Sequence, residues 1–253
     1  MTGTDPEGAR RTLLVALAHP DDEVGSVSAI LAQKARGDRV VLMWLTRGEM
    51  TEAMGPLPAE EVMRRRMEHG RRAGEILGVE TRFLDLPDTR LAATPEAAAR
   101  VAREIAEIRP DGVLTWGEAW KRGKRHPDHQ ACGRIVRDAI TLARIAKVVE
   151  PLPPHRASVP VFTYRGIHSA LPAVAIDAGP YREKTYELGE FYNDELEFGQ
   201  PRWLEDRLRA AGERWGLEYA EEFDAWETRP GVVPALLPAE PAGPPDHPER
   251  GCG

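Results

Sequence analysis

The stretch Leu13-Leu14-Val15-Ala16-Leu17-Ala18-His19-Pro20-Asp21-Asp22-Glu23 passes without interruption from an apolar run into a histidine, a proline and three carboxylates. A short apolar run bounded by polar punctuation reads as a buried strand, here Thr12–Ala18. The amphipathic segment behind it, Asp22–Arg36, reads as a helix capped by aspartate and stopped by Gly37. Working outward, the same alternation repeats. Arg39–Thr46 reads as a strand, Pro58–Leu77 as a helix ending at Gly78 and Arg82–Leu84 as a short strand. Pro95–Ile108 reads as an Ala-rich helix, Gly112–Thr115 as a strand and His129–Ala143 as a helix. Strand and helix alternating on this scale predict βαβ units: an α/β, Rossmann-like three-layer fold with a mostly parallel sheet covered on both faces.

The composition shifts after Val149. Pro151, Pro153, Pro154 and Pro160 mark a linker, followed by strand-like Val161–Tyr164 and Ala173–Ile176 and by helical patterns at Pro180–Tyr192 and Pro201–Trp215. The expectation is one domain over residues 11–226. Residues 11–149 form its site-bearing core, and 150–226 form a smaller C-terminal α/β portion that walls the pocket. Residues 227–253 are Pro- and Gly-rich without periodicity and read as a disordered tail.

A chain of 253 residues with 42% hydrophobic and 30% charged residues has the make-up of an ordinary globular protein with a sizeable core. Its net charge of -7 gives no basic face for nucleic acid or an anionic membrane. No apolar run approaches the roughly 20 residues of a membrane span. The N-terminal apolar run leads straight into the polar motif, unlike a signal peptide. With only Cys132 and Cys252, a structural disulfide is not expected, and a reducing, cytoplasmic setting fits best. Cys132 reads as a small buried helix residue.

In open α/β sheets ligands bind beyond the carboxyl ends of the strands, and His19, Arg47, Trp116 and His126 all fall just after strands. No G-x-G-x-x-G follows the first strand, which disfavours dinucleotide binding. Instead, His19 and Asp22 lie three apart at a strand end. Pro20 biases His19 to extended geometry, and the helix N-terminus behind it favours anionic groups. Capping explains one aspartate, but not two with Glu23 and a preceding His-Pro. Downstream, His126-Pro127-Asp128-His129 repeats the pattern after a second apolar run. Two such clusters suit one divalent metal with an open coordination position, zinc first and Fe2+ as the alternative. One histidine of the second cluster would bind metal, leaving the other for acid catalysis or oxyanion stabilisation.

Ala18-His19-Pro20-Asp21-Asp22-Glu23 together with His126-Pro127-Asp128-His129 resembles the LmbE-like, or PIG-L-like, family of zinc-dependent N-acetylglucosaminyl deacetylases. Thr46-Arg47-Gly48-Glu49 and the Arg-rich helix ending in Leu77-Gly78-Val79 add to the likeness, which covers roughly residues 12 to 140. The resemblance implies His19, Asp22 and His129 as metal ligands, Asp21 as general base, His126 as the oxyanion-stabilising or acid histidine, and Asp128 as the partner orienting His126. It also implies a substrate-binding arginine, aligned on Arg66 with Arg64 and Arg65 beside it, and a small N-acetylated amino sugar as substrate.

Where some sugar-thiol members carry a tyrosine, this chain has Lys124, within a basic stretch Lys121–Arg125 that can hold an anionic group. Trp116 can stack on a sugar ring or seal the core. His69 and His155 lack a partner motif, and His168 can line the pocket. Two rival readings stand beside the deacetylase: an amidase cleaving a thiol-sugar conjugate, and a non-catalytic sugar-binding module on the same fold. The oligomeric state, self-association included, stays open.

Overall fold

The computed structural model describes residues 10–117, 126–166, 168–197 and 202–243. Strand β1, Thr12–Leu17, is followed by a 3₁₀ turn, Asp22–Ser26, and then by helix α1, Val27–Ala35. β2 (Arg39–Trp44), α2 (Ala59–Leu77), β3 (Glu80–Phe83), α3 (Pro95–Ile108), β4 (Gly112–Thr115) and α4 (Pro127–Leu142) continue the alternation. The short helix α5 (Ala146–Val149) leads to β5 (Val161–Tyr164), β6 (Ala173–Asp177), α6 (Arg182–Leu196), α7 (Arg202–Trp215), β7 (Ala220–Ala225) and β8 (Gly231–Val232).

One eight-stranded sheet runs β3-β2-β1-β4-β5-β7-β6-β8. β1 pairs in parallel with both β2 and β4, β2 with β3, and β4 with β5. β7 is antiparallel to both β5 and β6. The sheet is therefore mixed, with an all-parallel first half. Helices α1, α2 and α6 pack on one another, as do α3, α4 and α5, which covers both faces. β1 and β2 are buried along nearly their whole length, so both strands read as unbroken apolar runs. Strand order reverses at β1, between β2 and β4, and that switch point places the crevice beyond the ends of β1 and β4.

Three sequence expectations change. The helix expected from Asp22 starts only at Val27, and no aspartate side chain caps it. The backbone N–H groups of Ser28 and Ala29 are taken instead by the two carboxylate oxygens of Glu221, both at 2.9 Å, from β7 at the far end of the chain. β7 itself was not expected. Its sequence Ala-Glu-Glu-Phe-Asp-Ala looks acidic, yet Glu221 serves that helix end and Asp224 accepts from Arg165 and Ser169. The third change concerns the expected tail. Ala235, Leu236 and Leu237 are buried in the core, with Leu237 against Gly112. Gln33 accepts from Leu237 N at 2.9 Å and donates to Leu237 O at 3.0 Å, so a segment without a ladder of its own has its backbone satisfied by one side chain. Residues 244–253 of that expected tail lie outside the described residues. No described helix is long and apolar enough to cross a membrane.

Candidate active site

The first motif leaves β1 as a tight, strained turn. Asp21 has φ 135°, a backbone region that costs a non-glycine residue energy and persists only when its surroundings hold it. The holding groups are visible. Glu23 Oε2 accepts from Asp21 N at 3.0 Å and from Trp44 Nε1 at 3.0 Å, and Tyr192 donates to Glu23 Oε1 at 2.5 Å. Burial pushes the Glu23 carboxyl up to about 7, against the pull of Tyr192. On the other side, Arg66, 2% exposed on α2, donates to Pro20 O and to Asp21 Oδ2, the latter at 2.6 Å. Arg66 runs this close because residue 48 is glycine. A Cβ there would lie 2.8 Å from Arg66 Nε, and its φ of +68° suits glycine as well.

Asp22 turns the opposite way. Its Oδ2 accepts from Ala18 N (3.0 Å), His19 N (2.9 Å) and Trp116 Nε1 (2.9 Å). Among the described residues its Oδ1 faces only His129 Nε2, at 3.1 Å. Burial opposes its charge, but the His129 ring outweighs that and holds the carboxyl well below the usual range. Asp21 is shifted the other way: burial raises its carboxyl despite the Arg66 guanidinium. Adjacent in sequence, the two aspartates thus occupy opposite environments, one locked and ionised, the other a stronger base.

The second motif opens α4. His126 is the N-cap residue, its Nδ1 accepting from Asp128 N at 3.3 Å, and Pro127 occupies the first helical turn. With Nδ1 an acceptor, the neutral ring carries its proton on Nε2. Burial and the charge of His19 lower the His126 pKa. Asp128 is fully buried. Thr89 N donates to its Oδ2 at 2.7 Å and Leu91 N to its Oδ1 at 3.1 Å. His19 Nε2 lies 3.3 Å from Oδ2, so the Asp128 side chain pairs with His19, while the residue meets its expected partner His126 through the backbone N–H. Asp88, not singled out in the sequence, meets the same His19 Nε2 at 3.1 Å. Burial acts against a charge on His19, but Asp128 and Asp88 prevail and push its pKa up to about 10.

Of the expected metal ligands, His19 and His129 come together with His126, and Asp22 meets them at His129. His19, His126 and His129 can each place one ring nitrogen within 4.8 Å of the others, and Asp22 Oδ1 projects against His129. Two imidazoles and a carboxylate oxygen that, among the described residues, meets only the His129 ring form a set that fits zinc, while Asp88 and Asp128 orient His19 from behind. His19, Asp21, Asp22, Arg66, Trp116, His126 and His129 all line a cavity of about 690 Å³. His168 lines it as well. Arg47 lies elsewhere, in a smaller cavity with Glu49 and Met63, its Nη1 against Met63 Sδ at 3.4 Å. Arg64 and Arg65 are exposed and paired with Glu61, so Arg66 is the arginine of the three that faces the site. Lys124, with the rest of Lys121–Arg125, lies outside the described residues. Cys132 is buried against Thr115 and Ala16 O, His155 Nε2 donates to Pro110 O, and His69 pairs with Glu195.

Residues 14–140, half of the chain, match the family described as PIG-L: GlcNAc-PI de-N-acetylase. The chain belongs to the PIG-L family. That membership makes it an enzyme of the amide-hydrolase class. A diacetylchitobiose deacetylase of Thermococcus kodakarensis is 28% identical over 86% of the chain and 84% of its own length. A 1D-myo-inositol 2-acetamido-2-deoxy-alpha-D-glucopyranoside deacetylase of Kineococcus radiotolerans is 31% identical over 58% of this PIG-L chain, which spans only 53% of that protein. Among solved structures, the N,N'-diacetylchitobiose deacetylase of Pyrococcus horikoshii superimposes with a TM-score of 0.77 at 21% identity. It covers 87% of this chain and 85% of its own, and shares the fold.

Proposed function

We propose that this PIG-L protein is a zinc-dependent deacetylase that hydrolyses the N-acetyl group of an N-acetylglucosamine-containing substrate, with His19, Asp22 and His129 as the metal ligands. The observation that carries the reading is the division of labour between Asp21 and Asp22. Among the described residues Asp22 offers one oxygen with no donor but the His129 ring, while Asp21 stays at the cavity wall with its pKa raised. A bound zinc would polarise the acetyl carbonyl and make water acidic enough to react at neutral pH.

The chain's own groups supply the rest. Asp21 accepts a proton from the attacking water, and Arg66 keeps its carboxylate aimed at the cavity. Nε2–H of His126 is a neutral donor for the oxyanion that forms as the carbonyl is attacked, and the proton that Asp21 took from the water is the one returned to the departing amine. Among the described residues Arg66 Nε and Nη1 have no hydrogen-bond partner, and Arg66 lines the cavity as a guanidinium available to a bound sugar. The cavity has the dimensions of a site for a drug-sized ligand, more than one sugar ring needs, which suits a glycoside. Acetate release by the zinc-loaded protein from N-acetylglucosaminides with varied aglycones tests the proposal. Turnover of at least one of them is expected; zinc-loaded protein inert on all of them contradicts it.

A further inference from the structure

Trp116 stands at the end of β4, 8% exposed, and touches two side chains that arrive from different elements. Its Nε1–H donates to Asp22 Oδ2 at 2.9 Å, and its ring lies flat on His129, centroids 3.8 Å apart and planes 7° apart. Asp22 comes from the turn after β1 and His129 from the first turn of α4, so one indole sets the spacing between them. We infer that Trp116 is a positioning residue of the metal site, holding Asp22 and His129 in register, and that it is not a platform for the sugar. The inference rests on the zinc reading above.

The surrounding packing is built for this contact. Gly133 lies one turn along α4 from His129, and a Cβ there would come within 2.0 Å of Trp116 O and 2.8 Å of its carbonyl carbon. Only glycine lets α4 approach the backbone at the end of β4, and that approach brings His129 onto the indole. Tyr164 packs at a tilt against Trp116, centroids 4.6 Å apart, and its hydroxyl donates to Asp22 O at 2.9 Å. Gly25 makes room for that phenol, since a Cβ would meet it at 2.9 Å. Asp22 is thereby held at its main chain by Tyr164 and at one carboxylate oxygen by Trp116. The second oxygen is left to turn toward a cation. With His129 flat on the ring, that face of Trp116 is taken within the protein, whereas a sugar platform needs an open one.

Groups that orient a metal ligand change affinity by about 10–100-fold when removed. Trp116→Phe and Trp116→Tyr keep a flat ring over His129 but lose the indole N–H, so both should weaken zinc by about 10–100-fold in chelator competition. Trp116→Leu, which also removes the stack, should weaken it further. Far-UV circular dichroism shows which variants are folded, and any one folded aromatic variant suffices. The Co2+-substituted variants should show an altered visible absorption band, which a packing defect remote from the metal would not produce. At saturating zinc, KM for an N-acetylglucosaminide should stay near the wild-type value. Unchanged zinc affinity and Co2+ spectrum in a folded aromatic variant overturn the inference, and a raised KM in that variant gives Trp116 to the sugar instead. Wild-type protein that takes up no metal overturns the zinc reading and this role with it.

Discussion

The chain uses His-Pro-Asp twice, and the two copies are put to opposite uses. In the first, the histidine is clamped on Nε2 by Asp88 and Asp128, while Asp21 sits on a strained backbone with its carboxylate toward the cavity. In the second, Asp128 is the clamped group, fully buried under two backbone donors and His19, and His126 faces the cavity as a helix cap. The tripeptide therefore does not determine which member is reactive. The first copy needs long-range supports from α2, β4, β5 and α6 through Arg66, Trp116, Tyr164 and Tyr192, because its turn is not a low-energy one. The second is an ordinary helix N-terminus with proline in its first turn.

The largest stability effect should come from the clamped member of the second copy. Asp128→Ala leaves Thr89 N and Leu91 N without their acceptor and removes one of the two carboxylates on His19 Nε2. Breaking a buried pair of this kind costs about 3–5 kcal/mol, and thermal melting of the metal-free variant should show it. A variant that melts with the wild type would break the contrast between a clamped Asp128 and a cavity-facing Asp21.

A smaller effect should come from the helix that supports the first copy. His69, on α2 with Arg66, has its pKa lowered, by burial first and then by the Arg66 charge, despite Glu195. Its folded-state pKa lies below the ordinary 6.5, so the unfolded chain binds the extra proton first. The contribution is fully present above about pH 6.5 and lost as pH falls through the folded value. Melting temperature measured from pH 7.5 down to 5 should fall less in His69→Gln than in the wild type. Parallel curves would show that His69 makes no such proton-linked contribution.

Strands β1, β2, β4 and β5 of the parallel half were legible because they are buried and announce themselves as apolar runs, unlike the edge strand β3. The two His/Asp turns that line the cavity were legible because histidine and aspartate at strand ends have few structural reasons to recur. What stayed hidden was chemistry carried by single residues far away in sequence. Glu221 in an acidic-looking strand caps α1, Gln33 fixes Leu237, and Asp88 reaches His19 from the loop after β3. Asp88 had one available signal, since it follows a strand end as His19 and His126 do. Nothing in the sequence marked Tyr164 or Tyr192, whose hydroxyls matter only once β5 and α6 are folded against the first turn.

The two neighbouring aspartates give the most direct test. Zinc content and kcat for acetate release should be measured on Asp21→Asn and Asp22→Asn side by side. Asp21→Asn keeps the shape and loses the base, so it should retain zinc while kcat falls by about 10²–10⁴, the usual contribution of general base catalysis. Asp22→Asn should lose zinc and regain part of its activity when zinc is added in excess. Loss of zinc from Asp21→Asn, with metal and activity both retained in Asp22→Asn, would contradict the account.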